Sequence, residues 1–130
     1  AELEFAEDPA PYQGIYRKDL WQGIDFTCID GEYRLEPGID LMPVPGHSAG
    51  GQAVLVSTDE GTVAIAGMCT CEENFHPESG HPMVGDDSTV LPGILWRARE
   101  AYDSINHLKK RADRILALHD PGILDVDSIP

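Results

Sequence analysis

The sequence predicts an α/β chain, and three observations carry that reading. Short apolar runs at residues 39–44, 52–57, 62–67 and 114–118 are bounded by glycine, proline or acidic turn residues, the pattern of strands. Between Arg97 and Arg114, Ala98, Ala101, Tyr102, Ile105, Leu108 and Ala112 recur at helical spacing, while Arg99, Asp103, Lys109, Lys110 and Arg111 mostly fill the other face. Three of the strands also end in residues that do chemistry: His47 after the first, Cys69 and Cys71 after the third, His119 after the last.

Taken in order, residues 1–20 are mixed, with Pro9, Pro11 and Gly14 interrupting any regular element and Tyr12 and Tyr16 available to pack or to line a pocket. Residues 25–29 and 33–35 read as a hairpin around Asp30-Gly31, a good tight-turn pair. The strands at 39–44, 52–57 and 62–67 follow one another, the last two joined by a turn at Thr58-Asp59-Glu60-Gly61. Residues 72–91 are rich in proline, glycine, serine and acids without periodicity, so they read as a loop leading into the helix. Residues 114–118 then form a last buried strand. There is no internal repeat, no interdomain linker and no low-complexity tract.

Composition bounds the function. The chain has 130 residues, enough for one domain or part of one, and no apolar stretch near the ~18 residues of a membrane span. A formal net charge of −14 repels phosphate backbones and argues against nucleic acid as a partner. Six of the nine basic residues fall between Arg97 and Arg114, on the solvated face of the helix. Three cysteines make no disulfide framework, so a reducing compartment is expected, with the cytoplasm as the default.

The most informative stretch is Pro45-Gly46-His47-Ser48-Ala49-Gly50-Gly51, between the apolar run ending at Val44 and Gln52-Ala53-Val54-Leu55-Val56. It puts one imidazole on a glycine-flanked turn, where it can reach a metal or a substrate. Thr62 to Phe75 and Arg114-Ile115-Leu116-Ala117-Leu118-His119-Asp120-Pro121 repeat the arrangement, so the two histidines suggest a site along one edge of a sheet.

At these residues the chain resembles the C-terminal half of a metallo-β-lactamase-fold hydrolase, in the N-acyl homoserine lactonase-like branch. The likeness runs from Ala1-Glu2-Leu3-Glu4-Phe5 and Pro11-Tyr12-Gln13 through Val44 to Gly50, Glu73-Asn74-Phe75 and Ala101-Tyr102-Asp103-Ser104 to Leu118-His119-Asp120-Pro121. It implies that residues 1–130 are one half of an αβ/βα sandwich, a mixed sheet with an outer helix, completed by a separate N-terminal half or else cut from a longer chain. By position His47 would bind a first metal and His119 a second. Asp120 would orient the His119 imidazole or a neighbouring backbone group, or serve only as a turn residue before Pro121.

The chain departs from the family in two ways. The His-x-His-x-Asp-His run that supplies most of the metal ligands is absent from these residues, and Gly67 or Met68 stands where the lactonases place a bridging aspartate. Cys69 is a candidate replacement, since thiolate suits zinc, and Cys71 is the alternative, being two residues on. Both thiols would be inert if buried.

The resemblance implies hydrolysis of a lactone, ester or amide by metal-activated water, with two divalent cations, zinc first and iron or manganese as alternatives. The required partner is an N-terminal half polypeptide carrying the His-x-His-x-Asp-His motif. Thr70, Glu73, Asn74 and His76 are candidates for the substrate pocket, although the acids and Asn74 would also serve to close the turn, and His81 would line the entrance. His107, on the helix, reads as structural. The competing class is a non-catalytic scaffold that keeps the fold without the bridged metals, and thiol chemistry at Cys69 and Cys71 ranks last, since their spacing is not Cys-x-x-Cys.

Overall fold

A computed structural model describes residues 2–7, 16–85, 88–125 and 127–128; Pro9, Pro11, Tyr12 and Gly14 lie outside them. Five strands form one sheet in the order β1-β2-β3-β4-β5: β1 Tyr33–Glu36, β2 Ile39–Pro43, β3 Gln52–Thr58, β4 Gly61–Ala66 and β5 Arg114–Ala117. The first four run antiparallel to their neighbours and β5 lies parallel to β4, so the sheet is mixed. The helices are α1 Glu2–Glu7, α2 Lys18–Trp21, α3 Glu72–Phe75 and α4 Ala98–Arg111, and a 3-10 turn spans Pro121–Asp125. Parallel neighbours require a long crossover. Here α3 and α4 supply it.

Strand period sorts the side chains onto two faces. On one, Met42, Ala53, Leu55, Ala64, Ala66, Ile115 and Ala117 are buried and pack with Met68, Phe75, Ile105 and Leu108 into a single core. The predicted apolar stripe of α4 is what covers them: Ala101, Ser104, Ile105 and Leu108 are its buried residues, and Lys109, Lys110 and Arg111 complement the negative end of its dipole. On the other face the register aligns Leu41, Val54, Ile65 and Leu116, and beside them Ile39, Val56 and Val63. Apart from Val63 these remain half-exposed. Burying such side chains fully is worth about 1.5–3 kcal/mol each. A sheet apolar on both faces is built to be covered on both.

The predicted strands at 39–44, 52–57, 62–67 and 114–118 form within one residue at nearly every end, and the β3–β4 turn falls at Asp59-Glu60, where Thr58 Oγ1 donates to the Gly61 carbonyl at 2.9 Å. Two expectations need correction. Residues 25–29 are not a strand, and β1 instead pairs with β2 across Pro37-Gly38. Gly38 has φ +86°, and proline followed by glycine is the pair that a type II turn favours. The second concerns residues 72–91, which hold the one-turn helix α3 rather than loop alone.

Candidate functional site

Register places every candidate at one end of the sheet. Pro43 pairs with Gln52, and Ala53, Ala66 and Ala117 lie side by side, so the segments carrying His47, Cys69 and His119 leave the sheet at the same edge. Strands are spaced about 4.8 Å apart, so the ends of β2 and β5 stand roughly 14 Å from each other. The loops beyond them decide which side chains meet.

The loops after β4 and β5 are fastened together. The His119 N–H donates to the Thr70 carbonyl at 3.2 Å, and that of Leu118 to the Ala66 carbonyl at 3.4 Å. Asp120 Oδ2 accepts from the Glu72 N–H and Oδ1 from the Gly122 N–H, each at 2.7 Å. Asp120 therefore orients backbone groups and caps the start of α3. These two N–H groups hold its carboxyl below the usual carboxylate range. Because the folded value is depressed, the stability this anchor lends is complete above the unfolded value and is lost as pH falls through the folded one.

Within the β4 loop the two cysteines part company. Cys69 has φ +56°, the one positive φ at a non-glycine residue among those described. A side chain there is strained. Cys71 is extended, and its N–H and Sγ both face Asn74 Oδ1, at 2.8 and 3.4 Å. Asn74 is buried and also donates from Nδ2 to the Val90 carbonyl at 3.0 Å, so its amide is spent on the chain's own turn. Thr70 is fully buried, and its hydroxyl has no partner among the described residues. Glu73 accepts from His81 Nε2 at 3.0 Å, and His81 Nδ1 in turn accepts from the Met83 N–H at 3.2 Å, so that histidine is held away from solvent chemistry. His76 is exposed and lines a groove of about 350 Å³ along the free edge of β5 with Glu72, Asp120 and Ile123. His107 lies exposed on α4.

His47 is held elsewhere. Its Nδ1 lies 2.9 Å from the Ile94 carbonyl, and Ser104 Oγ donates to the Pro45 carbonyl at 2.8 Å, fixing the turn against α4. From the other side the Gly50 N–H donates to Glu2 Oε2 at 2.9 Å, and the Tyr16 hydroxyl donates to the same carboxylate. The structure thus brings the Cys69 and His119 loops together, and sets His47 against the segment before α4.

Two imidazoles and a thiol are donor types that zinc accepts. Among the described residues, however, no three His, Cys, Asp or Glu side chains gather into a cation site. These residues do not by themselves complete four-coordinate zinc. Nor is any helix among the described residues long and apolar enough to cross a membrane.

No family model matches the chain. A curated N-acyl homoserine lactonase of Bacillus cereus is 29% identical over 96 residues, which are 72% of this chain and 38% of that protein. One from a Bacillus species is 29% identical over 102 residues, 77% of this chain and 39% of the relative. The match falls in the C-terminal part of these lactonases. An N-acyl homoserine lactone hydrolase solved with N-hexanoyl-L-homoserine at its catalytic metal center superposes with a TM-score of 0.63 over 94% of this chain and 47% of that one, at 23% identity. The fold is half of a metallo-β-lactamase sandwich. A quorum-quenching lactonase gives a TM-score of 0.60 over 95% of the chain and 48% of its own. The chain spans less than half the length of each of these proteins. This chain supplies one mixed sheet with α4 packed on one of its faces.

Proposed function

We propose that this chain is the C-terminal half of a lactone hydrolase, and that it works when its open sheet face is covered by an N-terminal half carrying a His-x-His-x-Asp-His run. One observation carries the reading: His47, Cys69 and His119 leave the sheet at one end, beside an apolar face whose Leu41, Val54, Ile65 and Leu116 are only part-buried among the described residues. The substrate class is taken from the lactonases that the chain resembles. Esters and amides are the neighbouring classes.

The site is shared between the halves, with two divalent cations, zinc first and iron or manganese as alternatives. When bound, such ions lower the pKa of a water and polarise a carbonyl. This chain's own part is to hold donors ready. His47 keeps Nε2 free because Nδ1 is engaged, and the His119 ring makes no hydrogen bond among the described residues. Cys69 offers a thiol at a strained backbone position, while Cys71 is occupied as a cap. Asp120 keeps the Cys69 and His119 loops at a fixed separation through the Glu72 N–H. Cys28, Cys69 and Cys71 are all unpaired, which suits the reducing cytoplasm.

In the assembled protein, His47→Ala and His119→Ala are each expected to lower metal content and to reduce lactone hydrolysis at least a hundredfold, of the order seen when a transition-state interaction is removed. His107→Ala leaves both nearly unchanged. Metal analysis with a lactone-opening assay decides it: equal losses from all three variants would mean that general destabilisation had been mistaken for loss of a ligand.

A further inference from the structure

We infer that the segment from Pro92 to Arg97 is a positioning element that holds His47 as its Nδ1–H tautomer, leaving Nε2 as the ring's single lone pair. The inference deepens the proposed function, since it rests on His47 being a donor in that site. A carbonyl oxygen only accepts, so the 2.9 Å contact between His47 Nδ1 and the Ile94 carbonyl puts the hydrogen on Nδ1. In a neutral imidazole the other nitrogen is then the acceptor.

The segment is pinned at both ends by backbone. Downstream, the Trp96 and Arg97 N–H groups both donate to the Gly46 carbonyl, at 2.8 and 3.0 Å, one residue before His47. Upstream, the Val90 N–H donates to the Asn74 carbonyl at 3.2 Å, and Asn74 Nδ2 returns a bond to the Val90 carbonyl at 3.0 Å. Pro92 is buried between the two anchors. Ile94 is meanwhile 65% exposed, so its side chain is not what fixes the segment. The main chain does the positioning. Its geometry is set by the same glycine that starts the His47 turn.

Nitrogen-15 labelling of the histidines tests this in the protein as purified, at a pH where the rings are neutral. Long-range proton–nitrogen correlation is expected to show His47 as a single Nδ1–H tautomer, and exposed His107 as the mixture of a solvated ring. Trp96→Pro, which deletes one donor to the Gly46 carbonyl, moves His47 toward that mixture; Trp96→Phe, which keeps the N–H, does not. A wild-type His47 that is Nε2–H, or as mixed as His107, overturns the inference before any variant is made. An unchanged His47 signal in a folded Trp96→Pro protein overturns the role of the segment. A locked His47 in an assembly that opens no lactone would leave the positioning intact and sink only the proposed function.

Discussion

Gly46→Ala is expected to destabilise the chain by roughly 3 kcal/mol or more, the range of severe overpacking joined to backbone strain. Two costs fall on one residue. Gly46 has φ +130°, which side chains rarely adopt, and a Cβ there would lie 2.2 Å from the Ala101 nitrogen and 2.4 Å from its Cα. Those are backbone atoms of α4, whose Ile105 and Leu108 are fully buried, so the helix cannot step aside without opening the core. The Gly46 carbonyl also takes the Trp96 and Arg97 N–H groups. Gly31→Ala is the control: φ there is +81°, but a Cβ meets nothing within 4 Å, so the cost is the left-handed preference alone, about 1 kcal/mol. Urea unfolding midpoints should rank wild type, Gly31→Ala and Gly46→Ala in that order. Equal midpoints for the two variants would show that the contact with Ala101 does not exist in solution.

Ile65→Asp is expected to weaken association with the N-terminal half on the order of a thousandfold, because it leaves an unpaired carboxylate in the middle of a buried apolar face. Ile65 sits in the inner strand β4, flanked by Val54 on β3 and Leu116 on β5. In the chain alone it is half-exposed, so the same change should leave the fold standing. Leu55→Asp, on the α4 face and within the core, should unfold the chain instead. Binding titrations with circular dichroism of each variant separate the two outcomes. Tight association by the Ile65 variant would mean that the open face is not where the second half docks.

The sheet was legible because β2, β3 and β4 are apolar runs closed by turn residues, that of β2 broken only by Asp40, and the helix because its apolar positions keep the 3.6 period. The misplaced hairpin has a physical source. Gly31 and Gly38 both adopt positive φ, so the turn chemistry at each was readable, but residues 33–36 pair with β2 across Gly38 and leave their other edge free of residues 25–29. Local signals name turns; pairing is a tertiary decision. The strand ends that carry His47, Cys69 and His119 were legible, and the register sets all three at one end of the sheet. The partner of the His47 ring was not legible, since it is a main-chain carbonyl, which every residue has. Cys71 was equally hard to separate from Cys69. Cysteine is no usual helix cap, and only Asn74, three residues on, hints at it.

If this chain is half of a shared catalytic domain, reconstitution with the other half restores the enzyme. The chain would be mixed with an N-terminal half bearing the His-x-His-x-Asp-His run, and lactone opening and bound metal would be followed for each half and for the mixture. A one-to-one assembly that holds two metal ions and opens the lactone is expected, with neither half active alone. A chain that stays monomeric, unfolds cooperatively with its sheet face bare, and neither gains metal nor activity in the mixture would contradict it.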